Sequence, residues 1–271
     1  MAATSTGTDA DIWVIFRLRQ RLFGVSATHV REMALLTECA KVPKTGSTVR
    51  GVMNLRGQVL PVIDLRATLG MTTSVQERDE FIAMLNAREG EHQKWVAELE
   101  ASVREKREFN LTTDPHKCAF GKWYDTFKTD NLLVTALLGK FDVPHKQIHS
   151  LGVEVRSLVD KGELEKALHL IELTRTTTLR RMMDLFEEFR TLLNKTREIG
   201  LIVQTGTGTA ALAVDSVESV EILAEVSQEG LDQISGTPSD GLIQMIGKRK
   251  EDQGIVMLLN PENAIQAIGE A

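Results

Sequence analysis

The chain has 271 residues, 42% of them hydrophobic and 26% charged, with a net charge of −6. That length is enough for one large or two medium cores, and the composition is that of a globular protein. The acidic balance argues against a generic nucleic-acid binder, which is usually basic, and no apolar run reaches the roughly 18 residues that a membrane span needs.

The opening residues, MAATSTGTDAD, are polar, with no basic start and no apolar segment. No secretory signal peptide is therefore expected, and the cytoplasm is the expected compartment. Thiols stay reduced there, so Cys39 and Cys118 point to metal or redox chemistry more than to a disulfide. IWVIFRL, from Ile12 to Leu18, alternates as a half-buried strand does; Gln20 and Arg21 mark a reversal, and LFGV continues as its partner. VPKTG reads as a loop. VRGVMNLRGQVLPVIDLR is rich in Val, Leu and Ile, with Gly51 and Gly57 at intervals suited to tight turns or bulges.

From about Ser74 to Arg197 the period becomes helical. Leu85, His92 and Leu99 recur every seven residues, and Trp95, Val96 and Val103 extend the same face. Farther on, Leu168, Ile171, Met182, Phe186, Phe189 and Leu193 form one broad apolar stripe. From about Ile199 the strands return: GLIVQ, a TGTGT turn and AALAVDSVESVEIL read as a hairpin. QMIGKRKEDQGIVMLLN reads as another, tipped by Lys248 to Asp252, and ENAIQAI as a short helix. TGTGT is no phosphate loop, since it lacks the GK[ST] ending, and no GxSxG or HExxH element occurs. The simplest organisation is one β domain, residues 10–73 and 198–271, interrupted by a helical bundle at 74–197. Insertion at a surface loop is tolerated because loop-closure entropy grows slowly with length.

Within the helical stretch, His145 and His149 are four apart, so one helix face presents both imidazoles to one ion. His92 lies on an apolar face and must find a partner, because burying an unpaired polar group costs about 1–3 kcal/mol. Cys118 lies midway between His92 and His145, far enough from each for every ligand to have its own helix, with the histidine pair sharing one. Three imidazoles and a thiolate make a tetrahedral shell suited to zinc. Phe120, Trp123 and Trp95 would wall it from water, and Gly121 would admit a backbone. Taken singly, each residue has a plainer reading: a lone buried histidine is usually a satisfied core residue, and a lone cysteine a small hydrophobe. Cys39 has no ligand partners nearby in sequence and reads as structural or inert.

His92 with Trp95, then Cys118-Ala-Phe120-Gly121-Lys-Trp123, then His145 and His149, resembles the chemoreceptor zinc-binding domain, over about residues 74–197. The resemblance implies a four-helix bundle and a Zn²⁺ site whose ligands are His92, Cys118, His145 and His149. It also implies that the cysteine thiolate can be oxidised. His116 falls outside the motif, and His169 shares a face with Glu165 and Glu172.

The flanking strands resemble the CheW-like adaptor family over residues 10–72 and 198–268. The resemblance rests on the N-L-R-G element Asn54–Gly57, the P-V-I-D-L strand from Pro61 to Leu65, and the pattern Ala211, Leu212, Val214, Asp215, Val217, Val220. Ala211 stands where that family usually has Gly. The fold implied is α+β multidomain: a CheW-like pair of five-stranded β-barrels, split in sequence, with the inserted four-helix bundle. The role implied is receptor binding through Arg56, with Gly51 and Asn54 as neighbours, although Arg56 read from its residues alone is a surface charge between two strands. The combined resemblance implies a chemotaxis adaptor without enzymatic turnover. Its partners would be the cytoplasmic tip of a methyl-accepting chemoreceptor and a CheA-type histidine kinase, with no nucleic acid and no membrane insertion. Bundles of this kind sit in dimeric receptors, so a homodimer is an alternative to a monomer. A purely structural zinc site and a zinc-dependent hydrolase are the competing readings.

Overall fold

The computed structural model describes residues 12–36, 39–129, 131–195, 198–228, 241–250 and 254–266. Their contacts cluster into two compact units: Met1–Gln76 with Arg197–Ala271, and Glu77–Thr196.

In the first unit the strands before the helical stretch are β1 (Ile12–Leu18), β2 (Arg21–Ser26), β3 (Val30–Leu35), β4 (Val49–Leu55) and β5 (Gln58–Asp64). A short helix α1 (Leu65–Thr68) follows, capped by the Asp64 carboxylate, which accepts from the Ala67 N–H. After the helical stretch come β6 (Ile199–Thr205), β7 (Gly208–Val214), β8 (Ser216–Ile222), β9 (Glu225–Ser227), β10 (Ile243–Lys248) and β11 (Ile255–Leu259). The β10–β11 connection that carries the expected charged tip lies partly outside the described residues, as does the end of the last predicted helix.

The expected closed five-stranded barrels are corrected. Among the described residues there are two open mixed sheets, one of six strands in the order β8-β1-β2-β11-β10-β9 and one of five in the order β3-β6-β7-β5-β4. Both sheets take strands from both runs, through the parallel pairs β2–β11 and β5–β7 and the antiparallel pairs β1–β8 and β3–β6. The sixth strand arises where the chain changes sheet at Asp215. That carboxylate accepts from Arg66 Nε and Nη2 at 2.9 and 2.6 Å and from the Arg19 N–H at 2.5 Å. The chain leaves β7 there, and β8 pairs with β1 instead of continuing the hairpin. Alternation then builds the core: Phe16, Leu18, Phe23 and Val25 pack with Ile63, Leu201, Leu212 and Val214, while Ala211 and Ala213 face a second cluster around Met53 and Leu60.

The second unit is helical: α2 (Ser74–Arg104), α3 (Ala119–Thr126), α4 (Leu132–Gly139), α5 (Asp142–Asp160), α6 (Leu164–Thr174) and α7 (Arg180–Lys195). The seven-residue spacing on α2 buries Leu85, His92 and Leu99 together. A π-helical turn, Arg175–Leu179, joins α6 to α7 without a break. Its cause is local: the hydroxyls of Thr174, Thr176 and Thr177 donate to carbonyls one turn back and loosen the regular ladder. Phe120, Phe141, Phe186 and Phe189 centre this unit's core. No helix among the described residues is long and apolar enough to cross a membrane. The last element among the described residues is α8 (Pro261–Gln266), which belongs to the first unit.

Candidate metal centre and hairpin tip

Three elements of the helical unit bring His92, Cys118, His145 and His149 together, with one ligand atom from each lying within 4.8 Å of all the others. His92 comes from the middle of α2. His145 and His149 stand one turn apart on α5, where Asp142 in the first turn complements the helix dipole and Pro144 is tolerated because the first N–H groups have no helical partner. Cys118 is the N-cap of α3, and its Sγ accepts from the Gly121 N–H at 3.1 Å.

The site's polar atoms are sorted by ring side. His92 Nδ1 meets the Arg88 carbonyl at 2.7 Å and His149 Nδ1 the Thr112 carbonyl at 3.2 Å, so both carry their ring proton on Nδ1. That leaves each Nε2 as an acceptor, and both are buried with no hydrogen-bond partner. The third imidazole nitrogen, His145 Nε2, lies 3.2 Å from Cys118 Sγ. Orphaned buried acceptors cost free energy unless something occupies the point where they converge. Three imidazole nitrogens and one sulfur around one point are the donor set of tetrahedral zinc, so the residues fit the ion.

Electrostatics agree with a site built for a cation held by neutral rings. Burial, then the neighbouring His92 and His149, pushes His145 down to about 3, and burial with His92 beside it pushes His149 down to about 4. Burial also lowers His92. Burial raises the Cys118 thiol, while the Gly121 and Phe120 N–H groups pull the other way. Those two N–H groups sit at a helix N-terminus, where a thiolate is favoured.

Aromatic rings close the site. Phe120 meets His145 edge-on at 4.9 Å, and Trp95 meets His149 at 5.2 Å. Trp123 lies one layer out, against Phe120 and Phe127. Gly121 is required by a close approach, since a Cβ there would lie 1.8 Å from the Pro115 carbonyl oxygen. His116 is exposed and pairs with Asp125 at 2.9 Å, and His169 is exposed. Cys39 is half-buried beside the Met53 cluster.

Two carbonyls that hold the imidazoles were not read from the sequence. Arg88 could have been, because it lies one helical turn before His92. Thr112 could not, because it lies in the irregular segment between α2 and α3, where no period links it to His149.

In the sheet unit, the second candidate group is divided. Arg56 and Gly57 form the two-residue loop between β4 and β5, with φ of 52° and 87°, the signature of a type I′ turn. Asn54 Oδ1 accepts from the Gly57 N–H at 2.8 Å and holds this tip. The Arg56 side chain is 79% exposed and pairs with Glu32 at 2.9 Å. Gly51 stands apart: its φ is 139°, and a Cβ there would lie 2.3 Å from the Ala40 carbonyl oxygen. It lets a neighbouring segment bridge onto β4 and offers no side chain to a partner.

Comparison with known proteins finds two families with a match in this chain. The CheW-like domain family matches residues 13–110, and the chemoreceptor zinc-binding domain family matches residues 92–156. Each match covers less than half of this chain, and the two overlap at residues 92–110. Among curated relatives, a probable chemotaxis protein CheW of Rhizobium etli is 43% identical over 58 residues, 21% of this chain and 37% of that protein. A chemotaxis protein CheW of Rhizobium meliloti is 41% identical over 58 residues, again 21% and 37%. The chain thus spans 37% of the length of these two relatives. Among solved structures, the scaffolding protein TtCheW of Thermoanaerobacter tengcongensis aligns with a TM-score of 0.42 at 13% identity, covering 96% of this chain and 90% of that one.

Proposed function

We propose that this protein is a cytoplasmic chemotaxis adaptor whose sheet unit bridges a chemoreceptor's cytoplasmic tip and a CheA-type histidine kinase, and whose inserted helical unit is a zinc-dependent sensor. In this reading residues 10–73 and 198–271 form the adaptor, and residues 74–197 form a four-helix bundle of α2, α5, α6 and α7. The adaptor role is supported by the CheW-like match and the chemotaxis relatives; Arg56, on its exposed turn, is the receptor contact. The sensor role is carried by one observation: the buried, partnerless Nε2 atoms of His92 and His149 converge on the Cys118 sulfur and the His145 ring.

When bound, zinc would hold Cys118 as a thiolate and fix the three rings. The remaining behaviour belongs to the chain. Arg88 and Thr112 orient two imidazoles, Gly121 keeps a donor on the sulfur, and Phe120 and Trp95 exclude water. Two inputs suit this arrangement. Zinc occupancy stabilises the folded bundle by mass action. Alternatively, the Cys118 thiolate attacks a peroxide oxygen, forming an S–O bond and expelling the other oxygen as hydroxide; the product is a weaker ligand. Four protein ligands fill a tetrahedral shell, which favours a sensor or structural metal over a hydrolase, whose metal keeps an open position.

The test is zinc content, by elemental analysis, of protein purified without added metal, for wild type and for Cys118→Ala. About one zinc per chain in wild type, reduced in the variant, is expected. Folded wild-type protein without zinc would reject the site.

A further inference from the structure

A cavity of about 630 Å³ opens in the helical unit, beside the candidate metal centre but outside its ligand set. Its size suits a small molecule. The buried part of its lining is apolar: Leu99, Val103 and Val155, joined by the half-buried Phe109, Val159 and Leu164. One buried hydroxyl breaks this surface. Ser102 is 3% exposed and donates to the Leu99 carbonyl at 2.7 Å, which leaves its oxygen free to accept.

The exposed part of the lining is charged, with Lys106, Arg107 and Arg156 against Glu108 and Asp160. Arg107 is held by Glu98 and Glu105, and Arg156 lies 3.7 Å from Glu108. Lys106 has no ion-pair partner among the described residues, and neither has Asp160. Arg107 and Arg156 are thus already matched by carboxylates, and Lys106 is the cation of the lining that remains to take a negative end group. Leu111 and Val153, 45% and 59% exposed, extend the apolar surface to the mouth.

We propose that this cavity binds a medium-chain monocarboxylate, with the alkyl chain along the Leu99–Val155 floor and the carboxylate at Lys106. Each methylene buried adds about 0.8 kcal/mol, so affinity rises steeply with chain length while the cavity fills.

The test is calorimetric titration of the full chain with hexanoate, decanoate and decylammonium below their micelle concentrations. Decanoate is expected to bind once per chain, at least tenfold tighter than hexanoate and tighter than decylammonium. Val159→Phe, which fills the cavity, should abolish binding with an unchanged melting temperature. Lys106→Glu should weaken decanoate at least fivefold. If Val159→Phe fails to fold, Leu111→Glu at the mouth takes its place, since that side chain is 45% exposed. No saturable binding, equal affinity for hexanoate and decanoate, preference for decylammonium, or decanoate binding unaffected by these substitutions would each overturn the proposal.

Discussion

At the scale of residues, the three histidines carry a pH prediction. His145 and His149 titrate at about 3 and 4 in the fold, and His92 is also lowered, against an ordinary value of 6.5. The unfolded chain therefore binds more protons below about pH 6.5, and stability falls as pH drops toward 3. For metal-free protein, the melting temperature should be level above pH 7 and decline steadily below 6.5; a flat profile down to pH 4 would contradict it. Removing a ligand should act on zinc alone near neutrality. His149→Ala should weaken zinc at least tenfold against a chromophoric chelator, whereas His169→Ala should change nothing, because His169 is exposed and far from the site in sequence. Arg56→Glu should abolish capture by a chemoreceptor fragment while leaving the melt unchanged, since the side chain is 79% exposed. The aromatic–His spacing and the His145–His149 pair were legible because they repeat with the helix. The tethering carbonyl of Thr112 was not, because main-chain groups leave no mark on residue type.

At the scale of elements, α3 is held by its first turn. Cys118 caps it, and Gly121 lets the Pro115 carbonyl approach where any side chain would collide at 1.8 Å. Gly121→Ala must displace that segment and with it the sulfur. It should cost roughly 2–4 kcal/mol and weaken zinc, measured by urea unfolding and chelator competition. An alanine variant with wild-type stability would show that the segment yields freely. The β4–β5 hairpin was legible in chain order from Asn54 to Gly57, though its turn type was decided by the twist of the paired strands, which favours positive φ at both loop residues. The π turn between α6 and α7 was not anticipated, although Thr174, Thr176 and Thr177 held its cause.

At the scale of the molecule, the last residue before β6 and the first of α2 meet on one side chain. Arg50 on β4 donates to Asp64 at 2.7 Å, to Ser74 Oγ at 3.1 Å and to Glu198, which also accepts from Ser74 Oγ at 2.7 Å. Asp64 is nearly inaccessible, so removing the guanidinium leaves buried carboxylates without a counter-charge. Arg50→Ala should cost roughly 3 kcal/mol in the sheet unit's unfolding and hasten proteolysis near residue 74. A loss below about 0.5 kcal/mol would show the cluster to be incidental.

Hydrophobic period alone separated strands from helices, because faces buried at spacings of two and of seven leave different residue patterns. Ligand types pointed to zinc as the expected ion, since imidazole and thiolate chemistry is local to each residue, while the ligand set came from the family resemblance. Which strands share a sheet was decided only in three dimensions. The passage of the chain at Asp215 into a six-stranded sheet depends on Arg66 and Arg19, which are remote in sequence, and pairing between distant segments leaves no period to read. The meeting of four ligand atoms within 4.8 Å is likewise a property of packing, because α2, α3 and α5 are brought together by the phenylalanine core and not by any spacing along the chain.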